Sequence, residues 1–465
     1  MNSLPRSVIA QPGDSLSLRQ ILRTWWPLAA SWLLMTAELP LISAVIARLP
    51  APEINLAAWG VVFALSIIIQ SPSTMLLAAS TTLSKDWDSY RKLRRFTVTI
   101  GALLTTLHFL IAFTPLYYVV MAQLLGLPEQ IVEPARVGLM IMTPWSWGTA
   151  YRRFQQGVLI RFEHSRAVVW GSLIRVGVDL VILTTGYLLG GLPGIVVGTA
   201  AIITGVLCEA LYTGLRVRPV VCGQLKLAAL VRPTLTFRAF MSFYVPLALT
   251  VLLMLLVMPL VSAALSRMPR ALDSLAVWPV VFGFLIMWQS AGIAYNEAVI
   301  ALLEKPRAEP RLRRFTAQLT MVTTILLGLI VVTPLSSLWF SHVAGLSPPL
   351  VDLARQTMWF GLLLPGLRVL QSWYQGAITY GRHTRGITEA FGISLLVSGL
   401  ILWLGVAWAG TTTGLFVGLV AMLAGTVTQT IWLWRRARPV LQAIRARDAA
   451  YQPLQTRLPA RQRIT

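Results

Sequence analysis

Shifted by 219 residues, the sequence falls on itself, and this self-likeness constrains the fold more than any other feature. Pro27 meets Pro246, Met35 meets Met254, Pro40 meets Pro259, Ser43 meets Ser262, Arg48 meets Arg267, Pro50 meets Pro269 and Trp59 meets Trp278. Between residues 27 and 63, 18 of 37 positions are identical, more than shared hydrophobicity supplies. The register persists at Gln70-Ser71 with Gln289-Ser290, at Thr114-Pro115 with Thr333-Pro334, at Gln156-Gly157 with Gln375-Gly376, and at His164 and Arg166 with His383 and Arg385. One inserted residue near 411 moves the shift to 220, placing Gly198 on Gly418 and Arg218-Pro219 on Arg438-Pro439. The chain is one unit written twice.

The unit is built for lipid. Of 465 residues, 56% are hydrophobic and only 12% charged, far more apolar side chain than a soluble core needs. Apolar runs of about twenty residues recur, each matching the ~30 Å hydrocarbon thickness of a bilayer. Outer-membrane strands would instead read as short alternating segments. The spacing predicts helices at 24–48, 56–82, 96–124, 136–160, 167–189, 195–215, 241–266, 275–302, 315–340, 356–380, 386–408 and 414–434. The expected fold class is an all-α integral membrane protein of about twelve transmembrane helices in two parallel-repeat six-helix lobes, residues 24–218 and 239–438. A cytoplasmic linker, 219–238, joins them, and tails flank them at 1–23 and 439–465. The first 24 residues are polar and carry three Arg with no apolar stretch, so they read as a tail rather than a signal peptide.

A net charge of +22 would suit a nucleic-acid partner, but the positions of the charges argue otherwise. With the N-terminus taken as cytoplasmic, 32 of the 39 Lys and Arg residues fall toward that side, in tails, loops and adjoining helix ends. Arg48, Arg136, Arg267, Arg270 and Arg355 fall on the opposite side, and Arg175 and Arg368 lie inside helices. This is the positive-inside rule, so the expected partner is the bilayer of a cell membrane, with both termini cytoplasmic and no nucleic acid. Both copies enter the membrane in the same sense, which requires an even helix count and places a cleft between the lobes. One chain suffices to form that pathway, so a monomer is expected. Cys208 and Cys222 offer neither a disulfide framework nor metal-ligand spacing. A P-loop, an HExxH motif and a motif-placed Ser/His/Asp set are all missing, so neither catalytic residues, a metal nor an enzyme activity is expected.

The stretch Tyr151-Arg-Arg-Phe-Gln-Gln-Gly-Val-Leu-Ile-Arg-Phe-Glu-His-Ser-Arg166, echoed by Tyr374-Gln-Gly-Ala-Ile-Thr-Tyr-Gly-Arg-His-Thr-Arg385, carries a family likeness. It resembles the fourth-to-fifth helix connection of the multidrug, oligosaccharidyl-lipid and polysaccharide (MOP) flippase superfamily, whose members are also two six-helix bundles. The run from Thr143-Pro144-Trp145 through Arg166 is most similar to the progressive-ankylosis (ANK) branch, associated with efflux of phosphate-bearing and carboxylate anions. Pro27, Pro40 and Glu38 are similar in kind to the bent, acidic first helix of the multidrug and toxic compound extrusion (MATE) branch, although Glu38 stands where an Asp is usual. The major facilitator fold fits less well, because the basic loop from Lys85 to Arg95 contains no Gly. The resemblance implies a secondary active exporter or flippase moving a small organic or phosphate-bearing anion by alternating access. The alternatives are a MATE-type cation-coupled multidrug exporter, a lipid-linked saccharide flippase, and a membrane scaffold that transports nothing.

A charge within the hydrocarbon costs about 2.5–3.5 kcal/mol by insertion scales, so those present are candidates for function. Arg175, Arg368, Arg152 and Arg153, with Ser31, are candidate substrate-binding residues, guanidinium forks being suited to anions. Glu38, Asp179, Glu209 and Glu297 are candidates for coupling to H+ or Na+; no other cofactor is expected. The plain alternatives are an Arg175–Asp179 pair at i and i+4 that neutralises itself, and Arg152 and Arg153 snorkelling to the surface. Glu38 faces Val257 in the other copy, Arg175 faces Ser394, Asp179 faces Ser398, Arg153 faces Ser372 and Arg368 faces Thr149. A purely architectural charge would be expected in both copies, so this asymmetry favours function. Pro27, Pro40 and Pro115 bend helices or act as hinges, His164 and His383 read as loop residues, and Trp25, Trp26, Trp339 and Trp359 as interfacial anchors.

Overall fold

A computed structural model describes residues 16–228, 235–303, 305, 307–381, 385–408, 410 and 412–456. His383, parts of the expected tails and residues 229–234 of the expected linker lie outside the described residues. Every regular element among the described residues is helical. In chain order the long units are α1 (Leu18–Ile46), α2 (Pro52–Leu83), α3 (Trp87–Phe113), α4 (Glu129–Met142 and Trp145–Arg161), α5 (Ser165–Leu189) and α6 (Gly194–Leu225). The second copy repeats them as α7 (Phe237–Leu265), α8 (Ala271–Leu302), α9 (Ala308–Val332), α10 (Pro348–Gly361 and Leu364–Tyr380), α11 (Arg385–Ala407) and α12 (Gly414–Thr456).

Ten of these units are long and apolar enough to cross a membrane. The other two, α4 and α10, are interrupted at equivalent places, Thr143-Pro144 and Leu362-Leu363. Pro144 and Pro365 each lack the N–H that would bond to the carbonyl four residues back, so the helical ladder fails there. Helix ends follow local chemistry. α1 starts six residues before the predicted 24 because Ser17 and Gln20 form a reciprocal cap, Gln20 N donating to Ser17 Oγ at 3.2 Å and Ser17 N to Gln20 Oε1 at 2.9 Å. α12 runs past the predicted 434 to Thr456, its basic extension tied back by Arg445, which donates to Glu309 of α9 at 2.8 Å.

Packing divides the molecule by depth. On the face opposite the basic loops, Ile42, Trp59 and Leu139 of the first lobe share one continuous apolar core with Val261, Trp278 and Met358 of the second. At the basic face there are two separate cores, one per lobe, and each contains the first helix of the other lobe. Ile21 and Trp25 of α1 are buried among α8, α9, α10 and α12, while Phe240 and Tyr244 of α7 are buried among α2, α3, α4 and α6. Trp25 Nε1 donates to the Ala291 carbonyl at 2.9 Å and Tyr244 Oη to the Pro72 carbonyl at 2.6 Å, and the 219-residue shift maps one bond onto the other. Trp25 is therefore a buried crossover residue and not the interfacial anchor expected, whereas Trp26 and Trp359 are exposed. Between lipid-embedded helices the packing itself, rather than expulsion of water, supplies the attraction.

Candidate functional site

Arg152 stands on the second piece of α4, Arg175 and Asp179 one turn apart on α5, Glu209 on α6 and Glu38 just before Pro40 of α1. Glu209, fully buried, is the hub. It accepts hydrogen bonds from Arg152 Nη1, from Gln156 Nε2 at 2.8 Å and from Ser172 Oγ at 3.3 Å, and pairs with Arg175 Nε at 3.4 Å. Arg175 reaches onward to Glu38, Nη1 to Oε2 at 2.7 Å, linking α5 to α1. The result is one chain of charge, Arg152–Glu209–Arg175–Glu38, running across four helices. Such a buried network persists only when each member is paired, since an orphaned charge costs several kcal/mol.

Asp179 is 1% exposed, and neither carboxylate oxygen receives a hydrogen bond. Its carboxyl lies beside that of Glu38. On its other side α6 comes so close that only a glycine, Gly205, fits.

The second lobe builds the same site without charge. At Arg152's place Gln371 donates to Gln429, which stands at Glu209's place, at 3.1 Å. At Asp179's place Ser398 donates to the Ala421 carbonyl at 3.0 Å and abuts Gly425, the counterpart of Gly205. The helix geometry is therefore duplicated while the ionisation is confined to one copy.

The remaining candidates separate from this cluster. Arg153 is half-buried, with a long 3.5 Å bond to Gln156. Arg368, half-buried on α10 against Gly292 of α8, donates to Gln371 at 3.4 Å. Among the described residues neither has a carboxylate within ion-pair distance. Ser31 and Glu297 are exposed and stand apart, Glu297 accepting from Trp32 Nε1 at 3.3 Å. Two expectations are corrected. Arg175 pairs with Glu38 and Glu209 rather than with Asp179, because α1 and α6 offer acceptors that a single-helix reading omits. Arg152 does not snorkel; it is 7% exposed and turned inward to Glu209.

The repeat was a signal for residues the sequence reading passed over. Gln371, Gln429 and Gln156 carry the polar framework, and the 219- and 220-residue shifts set the first two against Arg152 and Glu209. At the basic face two further repeat-related cavities open inside the lobes, not between them. The larger, about 910 Å3, lies beside α10, α11 and α12, and three of its lining arginines are engaged, Arg385 and Arg436 with Glu389 and Arg447 with Tyr380 and Asp448.

No protein-family model matches the chain, and no curated protein matches it in sequence. Solved structures do. An inward-facing MATE transporter of the MOP superfamily aligns with 90% of this chain and 96% of its own, at 14% identity and a TM-score of 0.68. The lipid II flippase MurJ in an inward closed conformation aligns over 93% of each chain, at 11% identity and a TM-score of 0.70. An outward-facing MATE transporter aligns over 91% of this chain and 96% of its own, at 16% identity, with a lower TM-score of 0.58. At these identities the likeness is one of architecture. Among the described residues ten helices are long and apolar enough to cross a membrane, and the chain shares its two-lobed helical fold with these MATE and MurJ structures.

Proposed function

We propose that the protein is a secondary active exporter or flippase for a small organic or phosphate-bearing anion, working by alternating access between its two lobes in a cell membrane, as a monomer with both termini cytoplasmic. The observation that carries this reading is the confinement of a buried five-charge group, Arg152, Glu209, Arg175, Glu38 and Asp179, to one of two otherwise matched lobes. A scaffold would gain nothing from charging only one copy, whereas a carrier needs one place where charge can change.

Within that group Arg152 and Arg175 are neutralised by Glu209 and Glu38, so the cations left to receive an anion lie outside it, Arg153 in the same lobe and Arg368 in the other. Glu38 and Asp179 form the coupling pair. A proton or Na+ taken up there releases Arg175 from its carboxylate, which changes the charge the substrate meets. Glu209 holds the arginines in place throughout. Separate cores at the basic face and a common core at the other describe a protein poised toward the basic side, in keeping with the higher scores against inward conformations.

The test is flux in proteoliposomes loaded with labelled carboxylate and phosphate-bearing anions. The reading is wrong if Arg175→Ala and Arg368→Ala move every anion at the parent rate. A lipid-linked phosphate substrate is a second reading, favoured by the likeness to the MurJ architecture. It predicts flipping of a fluorescent polyprenyl phosphate in the same vesicles.

A further inference from the structure

Two arginines on the face opposite the basic loops play no part in the polar cluster, yet each reaches across to the other lobe. Arg48, at the end of α1, donates from Nη1 to the Val343 carbonyl at 2.9 Å and from Nη2 to the His342 carbonyl. Arg267, at the end of α7, donates from Nη1 to the Leu125 carbonyl at 3.0 Å and from Nη2 to the Leu124 and Gln123 carbonyls at 2.5 and 3.2 Å. Each guanidinium is braced by its own helix, Arg48 by the Ala44 carbonyl at 2.6 Å and Arg267 by the Ala263 carbonyl at 2.7 Å. Donors and braces correspond under the 219-residue shift, and the targets His342 and Val343 correspond to Gln123 and Leu124, Leu125 being an additional acceptor for Arg267.

The targets are made for this. Each acceptor run ends a helix in a widened turn, Leu125 N bonding to Val120 O at 2.9 Å and Ala344 N to Trp339 O at 2.8 Å, five residues back. Carbonyls at such an end have no partner within the helix and carry its negative pole. Gly126 and Gly345 follow with φ of +66° and +74°, turning the chain away. A Cβ on Gly126 would lie 3.2 Å from Arg267 Cζ, and one on Gly345 would lie 3.0 Å from Arg48 Nη1, so each glycine seats a guanidinium. Beneath them the lobes leave a gap of only about 20 Å3 between Trp59 and Phe63 on one side and Trp278 and Phe282 on the other.

Resting on the alternating-access reading, we infer that Arg48 and Arg267 are a matched pair of clasps that hold this face shut, and that their joint release is the step that opens it. The contacts join exposed charge to backbone dipoles, so each clasp is breakable, and it must break because its two ends belong to bodies that separate. Backbone carbonyls as acceptors make the pair insensitive to protonation.

The experiment is a spin-label distance measurement in detergent or nanodiscs without substrate, using the full chain with Cys208→Ser and Cys222→Ser and labels at Leu124→Cys and Val343→Cys. Both labelled side chains are exposed and contribute only their carbonyls to the clasps. The parent is expected to show one short-distance population. Arg48→Ala with Arg267→Ala adds a longer one, and each single variant gives less of it. Should the alanine pair fail to purify, Arg48→Lys with Arg267→Lys, which retains charge and removes the fork, carries the same expectation. A parent-like distribution in either double variant overturns the proposal and leaves the arginines as static helix caps. Because no substrate is needed, clasp release is read independently of whether any anion is transported.

Discussion

Asp179 lies so close to Gly205 that a Cβ added to that glycine would sit 2.0 Å from Asp179 Oδ1 and 3.1 Å from Arg175 Cγ. The contact is between α5 and α6, so the position of the Asp179 carboxyl, the proposed coupling group, is set by a neighbouring backbone. Gly205→Ala must push both side chains aside. Overpacking of this kind costs about 1–3 kcal/mol, which a thermal unfolding scan in detergent detects. Gly425→Ala, meeting Ser398 Oγ at 2.2 Å in the other lobe, is expected to cost a similar amount. Only Gly205→Ala is expected to abolish anion flux, because only there does the displaced group carry charge. Equal flux in the two variants would remove Asp179 from the transport step.

The charged and neutral copies of the polar framework make a direct exchange possible. Glu209→Gln alone leaves Arg152 and Arg175 without their shared carboxylate, and breaking a buried pair in this way costs about 3–5 kcal/mol. Adding Arg152→Gln reproduces the Gln371–Gln429 pair of the second lobe. The double variant is expected to recover most of the lost stability by the same unfolding scan while remaining inactive in flux. A double variant as unstable as Glu209→Gln would show that the two lobes do not pack this site alike.

Much of this is legible in the sequence alone. The repeat announced itself through Pro, Arg and Trp identities, and the apolar runs gave the twelve units. The breaks in α4 and α10 were not legible, since helix periodicity and hydrophobicity continue across Thr143-Pro144 while a single missing N–H interrupts the ladder. The site was half-visible. Arg152, Arg175, Glu38, Asp179 and Glu209 stood out as costly charges in apolar segments, but their pairing depends on which faces of α1, α5 and α6 meet. The i, i+4 rule favoured Arg175–Asp179 for that reason, and tertiary neighbours outcompeted it. The buried Trp25 is the same lesson in reverse, since a Trp at a helix end reads as an anchor until another lobe is found to cover it.

Arg368 supplies the test of substrate charge. It has no carboxylate within ion-pair distance among the described residues, so replacing it orphans no acid, and stability should change little. Arg368→Ala is expected to weaken anion binding about tenfold or more, equivalent to about 1.4 kcal/mol, read as a raised half-saturation in flux assays. Arg368→Lys keeps the charge but not the planar fork, and recovers binding only in part. Full recovery by Lys would mean that a point charge suffices and that bidentate recognition plays no part.

The proposed coupling pair makes the final prediction. Asp179 lies beside Glu38 and, among the described residues, neither of its carboxylate oxygens has a hydrogen-bond donor, so on the proposed coupling the group that completes its bonding is the proton it takes up. Asp179→Asn places a permanent N–H donor there and fixes Glu38 as the partner of Arg175. Flux in proteoliposomes with an imposed pH gradient should then lose its dependence on the gradient, while exchange of labelled for unlabelled anion at equal pH continues. Glu38→Gln differs, because it removes the carboxylate that holds Arg175 and leaves that guanidinium bound to Glu209 alone. It is expected to impair exchange as well as gradient-driven flux. If Asp179→Asn responds to the gradient as the parent does, and the parent shows no response to an Na+ gradient, the proton is taken up elsewhere and the cluster serves only to position Arg175.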